Sequence, residues 1–275
     1  MNRWQELYKE KLTTPEELAK KFNSGDVCLS NGQVAEPTKI LEALAERAQK
    51  ENLTGLKHCI LLPLRSQKYL KAGMEKHIYH VSHFVSGFDR EPIWEGRADY
   101  MPSHYSQVPI VWQQTLEAPD VYYCTVSPMD EHGYFSFGTS GDMGNVRRLA
   151  KKVFVEVNPT MPRTFGNCFI HITEIDALIE NDIPITEVPP AKINEKDIKI
   201  GQMIAEEIPN GATIQLGIGG IPNAVAKALM DKKDLGVHSE MFCDSMVDLY
   251  NAGVINNSKK TIHRGKFVAA FTFGA

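Results

Sequence analysis

The sequence predicts an α/β protein made of two related domains, the second of them incomplete. Three observations lead there. The chain has 275 residues, more than one core usually needs. A helix–strand–turn–helix pattern occurs twice. In the second copy the turn is glycine-rich and runs straight into a helix start.

The elements follow in order. Thr14-Pro15-Glu16-Glu17 reads as a capping box, with Pro at the first helical position and Glu three residues after the cap. That helix runs to about Phe22 and stops at Asn23-Ser24-Gly25. Residues 26–30 read as a buried strand and 31–36 as a turn. Pro37 opens a helix whose Ile40, Leu41, Leu44, Ala45 and Ala48 share one face. The same order returns later. A helix over 197–208 stops at Pro209-Asn210-Gly211, and a strand covers 212–216. A turn covers 217–220, and Pro222 opens a helix with Val225, Leu229 and Met230 as its stripe. Gly25 matches Gly211 and Pro37 matches Pro222 at nearly the same offset, which reads as an internal repeat. A ligand site between the two domains is the natural expectation.

Between the copies, strands are expected over 59–64, 77–85, 108–111, 121–126 and 152–157, with a helix as the alternative for 77–85. Residues 127–136 read as a strand, a polar turn and a returning strand. The stretch 186–196, with Pro189-Pro190, reads as a linker, so the domains are 1–185 and 197–275. Residues 266–275 read as an apolar strand. With a second domain about half the size of the first, a truncated protein or gene fragment is expected.

Thirty basic and 34 acidic residues give a net charge of −4, which predicts neither nucleic acid nor an anionic membrane as partner. No apolar run approaches the roughly 18 residues of a membrane span, and the N-terminus has no apolar signal region. Cys28, Cys59, Cys124, Cys168 and Cys243 are scattered, without a CxxC. They predict reduced thiols in a cytoplasmic protein, with no disulfide frame or zinc site.

The stretch Leu216-Gly217-Ile218-Gly219-Gly220-Ile221-Pro222, followed by Glu240 in His238-Ser239-Glu240-Met241, is the most informative. A glycine turn at a helix start lets backbone approach a ligand and aims N–H groups at negative charge. Glu240 is then a ribose ligand, a nucleophile or a solvated loop carboxylate. Pro222 stands where a dinucleotide fingerprint has its third glycine, which weakens the first reading. A carboxylate nucleophile suits thioester chemistry, and glycine-turn amides suit a developing oxyanion. His77, His80 and His83 recur every third residue, a spacing read as structural in preference to metal-binding. Asp130, Glu131 and His132 read as a solvated turn. Lys259, Lys260 and Arg264 read as surface, or else as partners for phosphates.

The glycine turn and the Glu240 segment resemble the acetyl-CoA hydrolase/transferase family, and within it the 4-hydroxybutyrate and butyrate CoA-transferase branch. The resemblance extends to 32–37, to Ala98-Asp99-Tyr100-Met101-Pro102-Ser103-His104, to Ser127-Pro128-Met129-Asp130-Glu131-His132-Gly133-Tyr134 and to 247–255. It implies two domains of the NagB/RpiA/CoA-transferase kind with the active site between them. It assigns Glu240 as the nucleophile that becomes a glutamyl-CoA thioester. Gly217, Ile218, Gly219 and Gly220 become the oxyanion and CoA-binding turn. Gly32, Gln33, Tyr100, His104, Gln215 and Met241 become the substrate pocket. Coenzyme A is implied as a substrate, with no permanently bound cofactor and no metal. The partners implied are a short-chain acyl-CoA, a carboxylate such as acetate, and further copies of the chain. Acyl-CoA hydrolysis and non-catalytic CoA binding stay open beside transfer. Where the family commonly has Gly-His, this chain has Gly32-Gln33, which keeps hydrogen bonding but carries no proton.

Overall fold

A computed structural model of the chain describes residues 2–115, 119–141 and 144–275. It contains two compact units, Met1–Thr186 and Glu187–Ala275.

The first unit runs α1 (Arg3–Lys11), α2 (Pro15–Ala19), β1 (Val27–Ser30), α3 (Thr38–Lys50), β2 (Leu56–Ile60), β3 (Ile78–Ser82), α4 (Arg90–Trp94), β4 (Ala98–Tyr100), α5 (Val108–Thr115), β5 (Val121–Val126), β6 (Tyr134–Ser136), β7 (Lys152–Val157), β8 (Phe169–His171) and β9 (Ala177–Glu180). Seven strands form one sheet in the order β4-β3-β2-β1-β5-β7-β9, parallel throughout. Parallel sheets are covered on both faces, so their strands are apolar nearly end to end; all six residues of β5 are buried. One face packs Leu29, Cys59, Tyr122 and Cys124 against Trp112 of α5 and Phe135. The other packs Cys28, Ile78, Tyr123 and Phe154 against Leu41, Leu44 and Ala48 of α3. Strands β6 and β8 form a separate antiparallel ribbon.

Several expectations need correction here. Residues 108–111 open a helix, not a strand. Four apolar residues are too few to show a period, and Val108 and Trp112, four apart, are both buried on its inner side. The strand expected over 59–64 starts at Leu56 and ends at Ile60, because Leu62 turns to a φ of 54°. The segment 77–85 is a strand at Ile78–Ser82. Helix α2 ends at Ala19, short of Phe22. The turn over 31–36 includes a short 3₁₀ turn at Gln33–Ala35.

The second unit runs α6 (Glu195–Glu207), β10 (Thr213–Ile214), α7 (Gly220–Ala228), β11 (Gly236–Val237), β12 (Met241–Phe242), α8 (Asp244–Asn251) and β13 (Phe271–Thr272). Helix α6 begins inside the stretch expected as linker, because Asn194 and Asp197 form a capping box. Helices α6 and α7 meet nearly backbone to backbone: a side chain on Gly201 would lie 2.7 Å from the Ala224 carbonyl carbon. Strands β10 and β11 pair in parallel, as do β12 and β13. The core gathers Ile214, Leu216, Val225, Leu229, Val237, Met246 and Leu249. The strand expected over 212–216 is only Thr213–Ile214. The one expected over 266–275 is only Phe271–Thr272. There the amides of Ala270 and Phe271 both reach the Glu240 carbonyl, at 2.9 and 3.3 Å, and two residues opposite one interrupt a ladder. Both units contain helix, strand, turn and helix in that order: α2–β1–turn–α3 and α6–β10–turn–α7. Among the described residues, no helix is long and apolar enough to cross a membrane.

Candidate active site

In the first unit the chain moves outward from β1 through β2 and β3 to β4, then returns to the other side of β1 as β5. The loops after β1 and β5 therefore leave in opposite directions, and ligands favour such crevices at the C-terminal ends of strands. Gly32 and Gln33 sit in the loop after β1. A side chain on Gly32 would come within 1.7 Å of the Leu61 carbonyl oxygen, so only glycine fits. Gln33 is buried and held at a φ of 60°, a conformation costly for a residue with a side chain. Asn31 anchors the loop: its amide donates to the Ser140 carbonyl at 3.0 Å and its oxygen accepts from the Tyr122 hydroxyl. Tyr100 ends β4, three strands from β1, which at sheet spacing is about 14 Å. Tyr100 and the nearby His104 are exposed. The structure thus keeps Gly32 and Gln33 together and Tyr100 apart from them.

Below the loop after β1 lies an unusual interior. Glu36 is buried, and neither carboxyl oxygen meets hydrogen-bond geometry. Burial pushes its carboxyl up to about 8, and the Leu64 amide, Gln67 and Arg65 offset this only in part. Ser30 meets His58 at 2.9 Å and His80 meets Asp89 at 3.0 Å. Burial drives His58 well below the ordinary histidine range and pushes His83 down to about 4. His83 accepts from the Trp112 indole, and His77 meets the Leu53 carbonyl at 2.7 Å. Asp130 accepts from the amides of His132 and Tyr134, shaping the turn between β5 and β6.

In the second unit the glycine turn leaves the C-terminal end of β10, and Glu240 follows β11, the parallel strand beside it. The Ser239 hydroxyl donates to the Leu216 carbonyl at 3.3 Å, tying the two segments together. Gly219 has a φ of 128° and begins α7 with no side-chain cap, so the amides of Gly220 and Ile221 lack intrahelical partners. A side chain on Gly220 would meet Asp197 at 2.4 Å, whereas one on Gly217 would meet nothing within 4 Å. Packing thus demands glycine at Gly220 but not at Gly217. Gly217, Ile218 and Gly219 share a small cavity with Met241, Pro189, Pro190 and Phe273. Gln215 is exposed and lines an apolar groove of ≈ 300 Å³ with Ile204, Ile208 and Ile221. Glu240 itself is exposed. Lys260, expected at the surface, is buried, and its ammonium donates to the carbonyls of Val237 and Lys266 at 2.7 and 2.6 Å.

A larger cleft, ≈ 780 Å³, opens in the first unit between α1 and the loops after β5, β7 and β9. Of the candidate residues named from the sequence it is lined by Asp130 and Glu131, and by none of those assigned to the substrate pocket or the glycine turn. Among the described residues, no three His, Cys, Asp or Glu side chains are grouped as metal ligands would be.

Residues 1–189 match the profile of the acetyl-CoA hydrolase/transferase N-terminal domain, and the chain belongs to that family. It is similar to 4-hydroxybutyrate coenzyme A transferase of Clostridium kluyveri, at 41% identity over 98% of this chain and 63% of that protein. It is also similar to succinyl-CoA:cyclohexane-1-carboxylate CoA transferase of Geobacter metallireducens, at 40% identity over 98% of this chain and 61% of that one. The crystal structure of RipA from Yersinia pestis superposes with a TM-score of 0.92 at 36% identity, over 99% of this chain and 66% of that chain. The chain therefore spans less than two thirds of the length of these curated relatives.

Sequence reasoning did not single out Glu36 or Glu156 as buried carboxyls. A signal for the second was present: Glu156 interrupts the apolar run of β7, where a charge needs a buried partner. It accepts from the Ile40 amide at 3.0 Å and the Asn181 amide at 2.6 Å.

Proposed function

We propose that the protein transfers CoA between a short-chain acyl-CoA and a carboxylate such as acetate, with Glu240 as the nucleophile. The observation that supports this most is the shared strand edge. The glycine turn follows β10 and Glu240 follows β11, adjacent parallel strands, in a chain of this family. In this reading the Glu240 carboxylate attacks the thioester carbonyl. The carbon–sulfur bond breaks, CoA thiolate leaves and a mixed anhydride remains. The thiolate then attacks the glutamyl carbonyl, releasing the first acid and forming a glutamyl-CoA thioester. An acceptor carboxylate takes the CoA by the same steps in reverse. The turn's free amides would hold the carbonyl oxygen as negative charge gathers there; losing one such donor typically costs about 10²–10³ in rate.

The acid is a monocarboxylate of the butyrate or 4-hydroxybutyrate size. Relatives at 41% and 40% identity carry names with very different acids, so identity alone does not select it. Gln215 and Met241, beside the glycine turn, are proposed to contact it, and Gly32, Gln33, Tyr100 and His104 are proposed as the first unit's substrate residues. Five unpaired cysteines suit a reducing, cytoplasmic setting. Exposed Ile198, Ile200, Met203 and Ile204 on α6 suit self-association, which light scattering at two concentrations checks.

Incubation with acyl-CoA and borohydride or hydroxylamine, followed by peptide mapping, tests the mechanism. A modified Glu240 is expected, and an unmodified Glu240 under turnover would sink it. Free CoA released at a rate independent of acetate would assign hydrolysis instead. CoA binding without turnover would leave a CoA-binding module.

A further inference from the structure

Strand β11 is held differently on its two edges. On one edge it pairs in parallel with β10: the Gly236 and His238 amides donate to the Ala212 and Ile214 carbonyls at 2.8 and 3.1 Å. Val237, between them, turns its amide and carbonyl to the other edge. There the neighbouring backbone is interrupted. Ile255 bridges to Leu235 and Val268 bridges to His238, but the chain leaves the ladder between them, over 257–267. Two side chains from that excursion take the missing places. Asn257 Oδ1 accepts from the Val237 amide at 2.9 Å. Lys260 Nζ donates to the Val237 carbonyl at 2.7 Å and to the Lys266 carbonyl at 2.6 Å. The Val268 amide reaches the Val237 carbonyl only at 3.4 Å. Both side chains are buried, and the local sequence suits them. A side chain on Gly236 would lie 2.6 Å from Lys260 Cγ, so this glycine leaves the lysine stem its path. Asn257 is held at a φ of 58°, a left-handed conformation that asparagine adopts more readily than most residues. An alkyl chain would fill the same path without desolvating a charge. What lysine adds there is the donor.

We infer that Lys260 and Asn257 are positioning residues for Glu240: their side chains replace a missing stretch of β-ladder at Val237 and so fix where β11 delivers the carboxylate. Glu240 follows Val237 by three residues. The segment between is caught again further on. The Ser239 amide donates to the Val268 carbonyl at 2.9 Å, and the Glu240 carbonyl accepts from the Ala270 amide at 2.9 Å. Through Lys266, two residues before Val268, Lys260 joins this returning segment to Val237. Without the ammonium, β11 and the returning segment are free to shift against each other, and Glu240 moves with them. The catalytic value of this clamp rests on the proposed function of Glu240; the clamp itself does not.

Amide hydrogen exchange on the 275-residue chain reads the clamp directly. The Ser239 and Ala270 amides report the backbone around Glu240. The Leu229 amide, bonded to the Val225 carbonyl at 3.1 Å, reports the second unit as a whole. Lys260→Met keeps the stem and removes the ammonium. Asn257→Gly keeps the left-handed turn and removes the acceptor. Each variant is expected to lose about ten- to hundredfold in protection at Ser239 and Ala270, with Leu229 unchanged. Heteronuclear NMR of the wild type is expected to show a slowly exchanging Lys260 ammonium. No loss, or an equal loss at all three amides, would overturn the proposal. So would a Lys260 ammonium that exchanges as fast as that of the exposed Lys259. If one variant does not fold, the other variant and the wild-type ammonium still decide. Adduct formation at Glu240 is scored separately, and Lys260→Met is expected to slow it about 10²-fold, as for a displaced nucleophile. A missing wild-type adduct with the stated exchange pattern removes the catalytic reading and leaves the clamp in place. A wild-type adduct rate in a variant that has lost protection removes the positioning role and leaves the catalytic reading.

Discussion

A methyl group on Gly32 would sit 1.7 Å from the Leu61 carbonyl oxygen, while one on Gly217 would meet open space. The two glycines should respond oppositely to alanine. Gly32→Ala is expected to cost about 1–3 kcal/mol or more, by forcing neighbouring backbone apart. Gly217→Ala should stay within about 0.5 kcal/mol in urea unfolding yet slow acyl transfer if backbone approaches the substrate there. Glu240→Ala should likewise leave urea stability unchanged, because the side chain is exposed, while abolishing the covalent adduct. Buried titrating groups set the pH dependence. Glu36 has a raised carboxyl, about 8, so its contribution is fully present below the ordinary carboxylate range and is lost as pH rises through about 8. His58 and His83 are depressed, so theirs is present above about pH 6.5 and is lost as pH falls. Between about pH 6.5 and 8, stability should fall with a slope of about 1.4 kcal/mol per pH unit for one proton. Thermal unfolding of Glu36→Gln across that window should remove the slope. None of this was legible in the sequence, where nothing local marks Glu36 as buried.

Helix α3 begins on Pro37 and has no side-chain cap of its own. Its first turn is served from a distance: Glu156 of β7 accepts the Ile40 amide, and Asn181 donates to both Glu156 and Thr38. Glu156→Ala leaves the Ile40 amide and the Asn181 donor unanswered in a buried site. The expected loss is about 2–4 kcal/mol, read by urea unfolding, with Glu156→Gln losing less. Local capping was legible where the caps are near in sequence. Thr14 accepts from the Glu17 amide at 3.2 Å, and the apolar stripe of α3 is buried as its spacing predicts. The cap of α3 was not legible, because its partners lie 116 residues away. The α5 start at Val108 was misread for a different reason, being too short and too apolar to show its period. Lys260 was misread because a lysine's stem buries readily when carbonyls await its ammonium.

The molecule's two compact units differ in how self-sufficient they are. The first holds two hydrophobic layers, one on each face of its seven-stranded sheet. Residues 1–186 are therefore expected to fold alone and unfold cooperatively, which circular dichroism and dispersed amide resonances would check; a molten product would refute this. The repeated helix–strand–turn–helix order was legible because turn glycines and helix-opening prolines mark it, and both copies adopt it. The sheet order was not legible, since nothing local says that the chain returns to β1 after β4. That return also sets a clock. Strand β1 lies at the centre, and its second neighbour, β5, is distant in sequence: the Val27 amide bonds Asp120, 93 residues later. At ribosomal rates of about 5–20 residues per second, β1 waits roughly 5–20 s for that partner. For that interval the nascent chain displays an unpaired apolar edge, so the passage through synthesis, more than the finished fold, is where aggregation has its opening.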